Sequence, residues 1–324
     1  MQHDPISDHQ DHPAASSSER AQAASRSTWV SVAVNLVLTV LQLVVGSMAK
    51  SQALVADGLH SLSDLVADFV VLFANHHSQK AADADHPYGH QRFETVASLV
   101  LGALLLAVGV GMLWSAAGKL QSPQSIATVH PVALWVALGT LLSKEALFRY
   151  MLVVAKRVKS SMLVANAWHA RADAASSLVV AAGIVGNLAG YPILDPIAAA
   201  IVGFMVTRMG WSFAWTALHD LTDHAVDDAE VHAIAQTLLE TPGVSGVHDV
   251  RTRKMGDMIV VDAHLEVLAT LTVEQAHDIT VLAQQRVMQH HRVLHLLTHV
   301  DPYKRPDLDH AVTPSPAGAA PDGG

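Results

Sequence analysis

The sequence predicts an α-helical membrane protein, six transmembrane helices followed by a small soluble α-β-β-α-β domain. Three observations lead there. Only 15% of the 324 residues are charged, 51% are apolar and mean hydropathy is +0.30, whereas an ordinary soluble domain carries about 25% charged residues. Six apolar segments recur between residues 28 and 217, each near the ~20 residues that cross a bilayer. From about Leu221 the composition becomes that of a soluble chain.

Residues 1–27 are polar, rich in Ser, Ala, Asp and His, and are expected to be a disordered tail. No short apolar region with a cleavage site marks a removable signal peptide there. His3, His9 and His12 offer loose metal capture at most, and an inert solvated tail is the simpler reading. The membrane domain is expected over 28–220, with spans near 28–49, 52–76, 94–118, 130–154, 164–189 and 193–217. Lys50, Ser51 and Gln52 give a tight turn between the first two spans. Pro131 opens the fourth, where its missing N–H costs nothing, and Gly190, Tyr191 and Pro192 divide the fifth from the sixth. Arg208 in the sixth span has no assigned role.

Charge placement sets the orientation. Arg20 and Arg26 precede the first span, Lys80 and Arg92 lie in the second-to-third loop, and Lys156, Arg157 and Lys159 in the fourth-to-fifth. The opposite loops carry only Lys50 and Lys119. By the positive-inside rule both termini are expected in the cytoplasm, and a multi-pass protein of the cytoplasmic (inner) membrane is the expected localisation.

The soluble domain is expected over 221–302. Val226 to Glu240 has helical periodicity and stops at Thr241-Pro242-Gly243. Val247 to Thr252 and Ile259 to Val267 read as strands. Thr272 and Gln275 predict a capping box for a helix reaching about His290. Val293 to Asp301 reads as a third strand stopped by Pro302. Such a unit buries a small core and is marginal alone. Residues 303–324, rich in Pro, Ala and Gly, are expected to be disordered.

Two copies of one pattern, His60-x-x-x-Asp64 and His169-x-x-x-Asp173, lie in apolar spans. Residues four apart share a helix face, so each copy aims one imidazole and one carboxylate the same way. Helix-to-helix hydrogen bonding would explain one such polar pair. Two matched pairs favour a functional site, because ionisable groups at bilayer depth are costly. The chain has no cysteine and 21 histidines, so a metal must be held by imidazole, carboxylate, carbonyl or water. Two nitrogens and two oxygens suit tetrahedral Zn²⁺, and accept Fe²⁺, Co²⁺, Ni²⁺ or Cd²⁺ less decisively. Imidazole binds metal only when neutral, so metal and protons compete for the site. Asp57 and Asp68 continue the second span's polar stripe, as relay or vestibule residues or as packing groups. The net charge of −9 gives no reason to expect nucleic-acid binding.

With "ALVADGLHSLSD" and "NAWHARADAASS" in the spans, "DADHPYGHQRFET" between them, and "TPGVSGVHDVRTR", "DAHLEV", "EQAHDI" and "THVDP" in the last domain, residues 28–302 resemble the cation diffusion facilitators, and among them the bacterial zinc/iron branch. The resemblance implies a proton-coupled antiporter of divalent transition metals, not an enzyme, without organic cofactor and working as a homodimer. It assigns the transport site to His60, Asp64, His169 and Asp173, and favours Zn²⁺ because His stands at position 60 where some members carry Asp. It implies an interfacial loop site at Asp83, His86 and His90, although alone His86-Pro87-Tyr88-Gly89-His90 reads as turn chemistry. It implies a ferredoxin-like, metallochaperone-like cytoplasmic module that senses metal, with binuclear-site positions His248, His264, His277, His299 and Asp301. Strand alternation agrees, setting Asp262, His264 and Glu266 on one face. It also implies a charge interlock of Arg92 with Asp223. The competing readings are an exporter of Fe²⁺, Mn²⁺, Co²⁺ or Ni²⁺, a membrane metallohydrolase, which the filled four-ligand set leaves without an open metal position, and a membrane metal sensor, which would make the intramembrane ligands superfluous.

Overall fold

A computed structural model describes residues 17–78, 80–157 and 161–303. Residues 1–16 with His3, His9 and His12, Lys159, and residues 304–324 lie outside them, whereas 17–27 of the expected N-terminal tail are helical. The chain divides into two compact units, one of Met1–His77 with Val96–Ala217, the other of Ser78–Thr95 with Leu218–Gly324.

The first unit is built from long helices: α1 (Ser17–Met48), α2 (Gln52–Ser78), α3 (Arg92–Gln121), α4 (Val132–Arg157), α5 (Ser161–Leu188) and α6 (Leu194–Leu221). α1 starts well before residue 28, because Ala, Glu, Gln and Arg ahead of the apolar run are good helix formers. Among the described residues, three helices are long and apolar enough by themselves to cross a membrane, Trp29–Met48, Arg92–Gln121 and Leu194–Leu221. α2, α4 and α5 carry the charges that interrupt their apolar runs: Asp57, Asp64 and Asp68; Lys144, Glu145 and Arg149; Arg171 and Asp173.

The turn into α2 places Lys50 at φ 59°. Ser51 then caps the helix, its Oγ accepting from Leu54 N at 3.1 Å. Buried Asp195, in the first turn of α6, accepts from Ser51 Oγ at 2.6 Å and Gln52 N at 2.7 Å. A carboxylate at the positive end of a helix is favourably placed. α3 and α6 approach through glycine. A Cβ on Gly102 would stand 2.5 Å from Ala214 N, and one on Gly210 2.6 Å from Leu106 N. Close backbone approach is how helices associate in lipid, where apolar surface gives no net drive.

The second unit holds α7 (Asp228–Leu239), β1 (Val244–Met255), β2 (Met258–Leu268), α8 (Val273–His290) and β3 (Val293–Tyr303). The sheet runs β1-β2-β3, the first pair antiparallel and the second parallel. Its α-β-β-α-β order matches the expectation. Ile234 and Leu238 of α7 and Ala283 and Val287 of α8 cover Val261, Ala263 and Leu265 of β2, so the alternate residues Asp262, His264 and Glu266 face the other side. The strands exceed their expected bounds. β1 and β2 meet in a two-residue turn at Gly256 (φ 66°) and Asp257, pairing Met255 with Met258. β3 passes through Pro302 to Tyr303 rather than stopping there, because β3 is an edge strand and an edge tolerates a missing donor.

Candidate metal centres

In the first unit, α2 sets His60 and Asp64 on one face and α5 brings Asp173 to them. His60 Nδ1 lies 3.6 Å from Asp64 Oδ2, and His60 Nε2 lies 3.9 Å from Asp173 Oδ1. Ligand atoms of the three lie within 4.8 Å of one another. The edge of a tetrahedron with ~2.0 Å metal–ligand bonds is about 3.3 Å, so the carboxylates need close only slightly on an ion. His60 is buried, while Asp64 and Asp173 are half-buried. His169 precedes Asp173 by one turn of α5, and its side chain lies outside the described residues.

One turn before His60, Asp57 meets a partner that sequence reasoning missed. Lys144 Nζ of α4 stands 3.6 Å from Asp57 Oδ1, with both side chains buried. Gln42 of α1 donates its amide to the same carboxylate, as do the hydroxyls of Ser177 (2.8 Å) and Ser176 (3.3 Å) of α5. Lys144 also donates to Ser61 Oγ at 3.2 Å. The cost of a charge in an apolar span, which singled out Asp57, applies equally to Lys144 and was the available signal. Asp68, further along α2, is exposed.

In the second unit the segment 80–95 curls around Asp83. Its Oδ1 accepts from His86 N at 2.7 Å and Asp85 N at 3.1 Å. His86 Nδ1 lies 3.4 Å from Oδ1, and His90 Nε2 3.3 Å from Oδ2. The backbone N–H of His86 is the chief reason the Asp83 carboxyl sits below its ordinary range, with both imidazoles adding to it. His90 is buried and its Nδ1 lies 3.2 Å from Ala81 O. A carbonyl only accepts, so Nδ1 carries a proton, which leaves Nε2, beside Asp83, as the nitrogen that would ligate a metal. Gly89, at φ 87°, closes the turn.

On the open sheet face, β1 pairs His248 with His264 and β2 pairs His264 with His299. Asp301 Oδ2 receives His264 Nδ1 at 2.9 Å and lies 3.3 Å from His248 Nε2, while its Oδ1 is 3.5 Å from His299 Nε2. One carboxylate therefore meets three imidazoles, and the hydrogen bond from His264 is the main cause that lowers its pKa. Glu266, on the same face but not singled out as a ligand from sequence, reaches His248 at 3.7 Å. His277 sits exposed on α8, outside this cluster. Arg92 Nη2 meets Asp223 Oδ1 at 2.6 Å.

Comparison with known proteins is consistent in kind. Residues 28–222 match the family described as Cation efflux transmembrane domain, and 226–303 match Cation efflux protein, cytoplasmic domain. The manganese efflux system protein MneS of Bacillus subtilis (strain 168) is 34% identical over 85% of this chain and 94% of its own. Metal tolerance protein 2 of Oryza sativa subsp. japonica is 33% identical over 86% of this chain and 78% of its own. Magnetosome protein MamB of Paramagnetospirillum magneticum (strain ATCC 700264 / AMB-1) is 30% identical over 90% and 95%.

Proposed function

The chain belongs to the cation efflux family, the cation diffusion facilitators, multi-pass membrane transporters of metal ions rather than enzymes, and on that premise we propose that it exports Zn²⁺ from the cytoplasm in exchange for protons. The observation that carries this reading is the convergence of His60, Asp64 and Asp173 from two helices. With His169, four residues before Asp173, they make a set of two nitrogens and two oxygens. The two carboxylates neutralise a divalent ion, and the imidazoles bind it only when deprotonated, so each ion loaded releases protons and each proton gained weakens its hold. Alternation between inward-facing and outward-facing states then makes the exchange vectorial.

The remaining sites take regulatory roles. The protein is a homodimer of the inner membrane with both termini in the cytoplasm. Metal at His248, His264, His299 and Asp301, with His277, docks the two cytoplasmic domains. Such regulation requires different metal affinity in the two transport states. Asp83, His86 and His90 hold a loop metal, and the Arg92–Asp223 pair fixes that segment against the residues that follow α6. Asp64 and Asp173 balance the charge of the transported ion without an additional cofactor.

A second reading replaces zinc by manganese, on the ground that a relative 34% identical is a manganese efflux protein. Two imidazoles weigh against it, since Mn²⁺ favours harder oxygen sets and stands lowest in affinity for a given site. Metal competition in proteoliposomes decides. Zn²⁺ should drive proton efflux at lower concentration than Mn²⁺, Fe²⁺, Co²⁺, Ni²⁺ or Cd²⁺. A preference for Mn²⁺ would replace the zinc reading, and metal binding without movement of any ion would leave a sensor instead.

A further inference from the structure

We propose that Lys144 is the counter-charge that sets how many negative charges the transport site presents, and that Asp57 is the carboxylate it cancels. Asp57 is 1% exposed and Lys144 4%. Their charged atoms lie 3.6 Å apart. His60 lies three positions after Asp57 on α2, about 4.5 Å along the helix axis. The Lys144 ammonium also donates to Ser61, the residue that follows His60 on α2.

A carboxylate at that distance would act on any cation held by His60, Asp64 and Asp173. The donors from Gln42, Ser176 and Ser177 satisfy its lone pairs, but an amide or a hydroxyl leaves the charge in place. Only the ammonium removes it. With neutral imidazoles, Asp57, Asp64 and Asp173 contribute three negative charges and Lys144 one positive. The net two negative charges complement a divalent ion. Without Lys144 the surroundings would over-attract the ion and hold it; without Asp57 one net negative charge would remain and the ion would be held less tightly. The pair thus acts through charge on ions it does not touch, a positioning role.

Simple helix-to-helix adhesion is the competing account of a buried pair, and either partner left alone would then only loosen the bundle. The two accounts differ in sign. This proposal rests on the reading that His60, Asp64, His169 and Asp173 hold the transported ion.

The test is Zn²⁺ flux by the full-length protein in proteoliposomes, read as the concentration giving half-maximal rate. Lys144→Gln should lower that concentration by about tenfold or more and slow the maximal rate, because the ion leaves late. Asp57→Asn should raise it by about tenfold or more, a unit charge one turn from a divalent ion being worth at least that in a partly screened site. The double variant, neutral at both positions, should return toward the wild-type value, and Lys144→Arg should rescue the charge. Shifts of the same sign in the two single variants would overturn the proposal, as would an unmoved half-maximal concentration with only less folded protein. If an unpaired charge prevents folding of the single variants, the double variant and Lys144→Arg carry the test, and a tenfold shift in either overturns it. Asp64→Ala separates the two readings. Undiminished flux in that variant sinks the transport-site assignment itself, whereas lost flux beside same-sign shifts sinks only the role of the pair.

Discussion

At a ligand position the side chain decides both charge and softness. On the proposed assignment Asp64→Ala removes one of two carboxylates that balance a divalent ion, so metal-driven proton flux should fall at least about a hundredfold. Circular dichroism should stay unchanged, because Asp64 is half-buried and Ala is a good helix former; equal flux in the variant would refute the site. His60→Asp instead exchanges an imidazole for a carboxylate. It should cut the ratio of Zn²⁺ to Mn²⁺ transport by about tenfold, oxygen sets favouring the harder ion. Asp301 yields a pH signature in metal-free protein. Its carboxyl is held below the ordinary 3.8, mainly by the His264 hydrogen bond. A depressed carboxylate stabilises the fold above its unfolded value and loses that contribution as pH falls through its lower folded value. Asp301→Asn should therefore melt earlier than wild type at pH 7, and the gap should close in titrations below about pH 3.8. A constant gap across that range would mean the ionised form is not what stabilises. His60 and Asp64 were legible because i, i+4 spacing on one helix is written in the sequence. The link of Asp57 to Lys144 was not, because it joins residues whose proximity depends on how α2 and α4 pack, and Gln42, Ser176 and Ser177 carry no charge to stand out in an apolar run.

Elements were legible where local chemistry alone decides them. The capping box formed as read: Thr272 Oγ1 accepts from Gln275 N at 3.2 Å, and Gln275 Oε1 accepts from Thr272 N at 3.0 Å. Thr272→Ala should cost about 1 kcal/mol, seen as an earlier unfolding transition of the cytoplasmic domain, while Thr272→Ser should cost far less. The faces of β2 were equally visible, since alternation needs only a period of two. The strand ends were not placed, although Gly256-Asp257 between Met255 and Met258 is a two-residue hairpin signal in plain view. The α3–α6 contact was not legible either, because glycine is common in membrane helices and its partner depends on packing. Gly102→Leu or Gly210→Leu puts bulk where backbone atoms stand 2.5 and 2.6 Å from an ideal Cβ. Overpacking of this kind costs about 1–3 kcal/mol, so both variants should lose several degrees of thermal stability in detergent. Gly118→Leu, on the same helix with open space around its Cβ position, should not.

For the whole molecule, the helices that carry the proposed transport site are those least recognisable as spans. Among the described residues α1, α3 and α6 qualify on apolarity alone, while α2 and α5 bear the proposed ligands and α4 bears Lys144. Each charge that makes them useful lowers their mean hydropathy, so the span count had to come from length and spacing. Orientation came from an asymmetry of seven Lys and Arg against two. That asymmetry has a direct test, because the chain contains no cysteine and any thiol introduced is the only one to label. Gln124 and Tyr191 are exposed in the turns after α3 and α5. If both termini are cytoplasmic, these turns face outward, and Gln124→Cys and Tyr191→Cys should react with a membrane-impermeant maleimide on intact cells. Ala82, in the segment after α2, and Glu274, on α8, are also exposed. Ala82→Cys and Glu274→Cys should stay unlabelled until the membrane is opened. Labelling of Ala82→Cys on intact cells would put the Asp83, His86 and His90 cluster outside. A loop metal could not then report on the cytoplasmic pool, and the direction of export would have to be reversed.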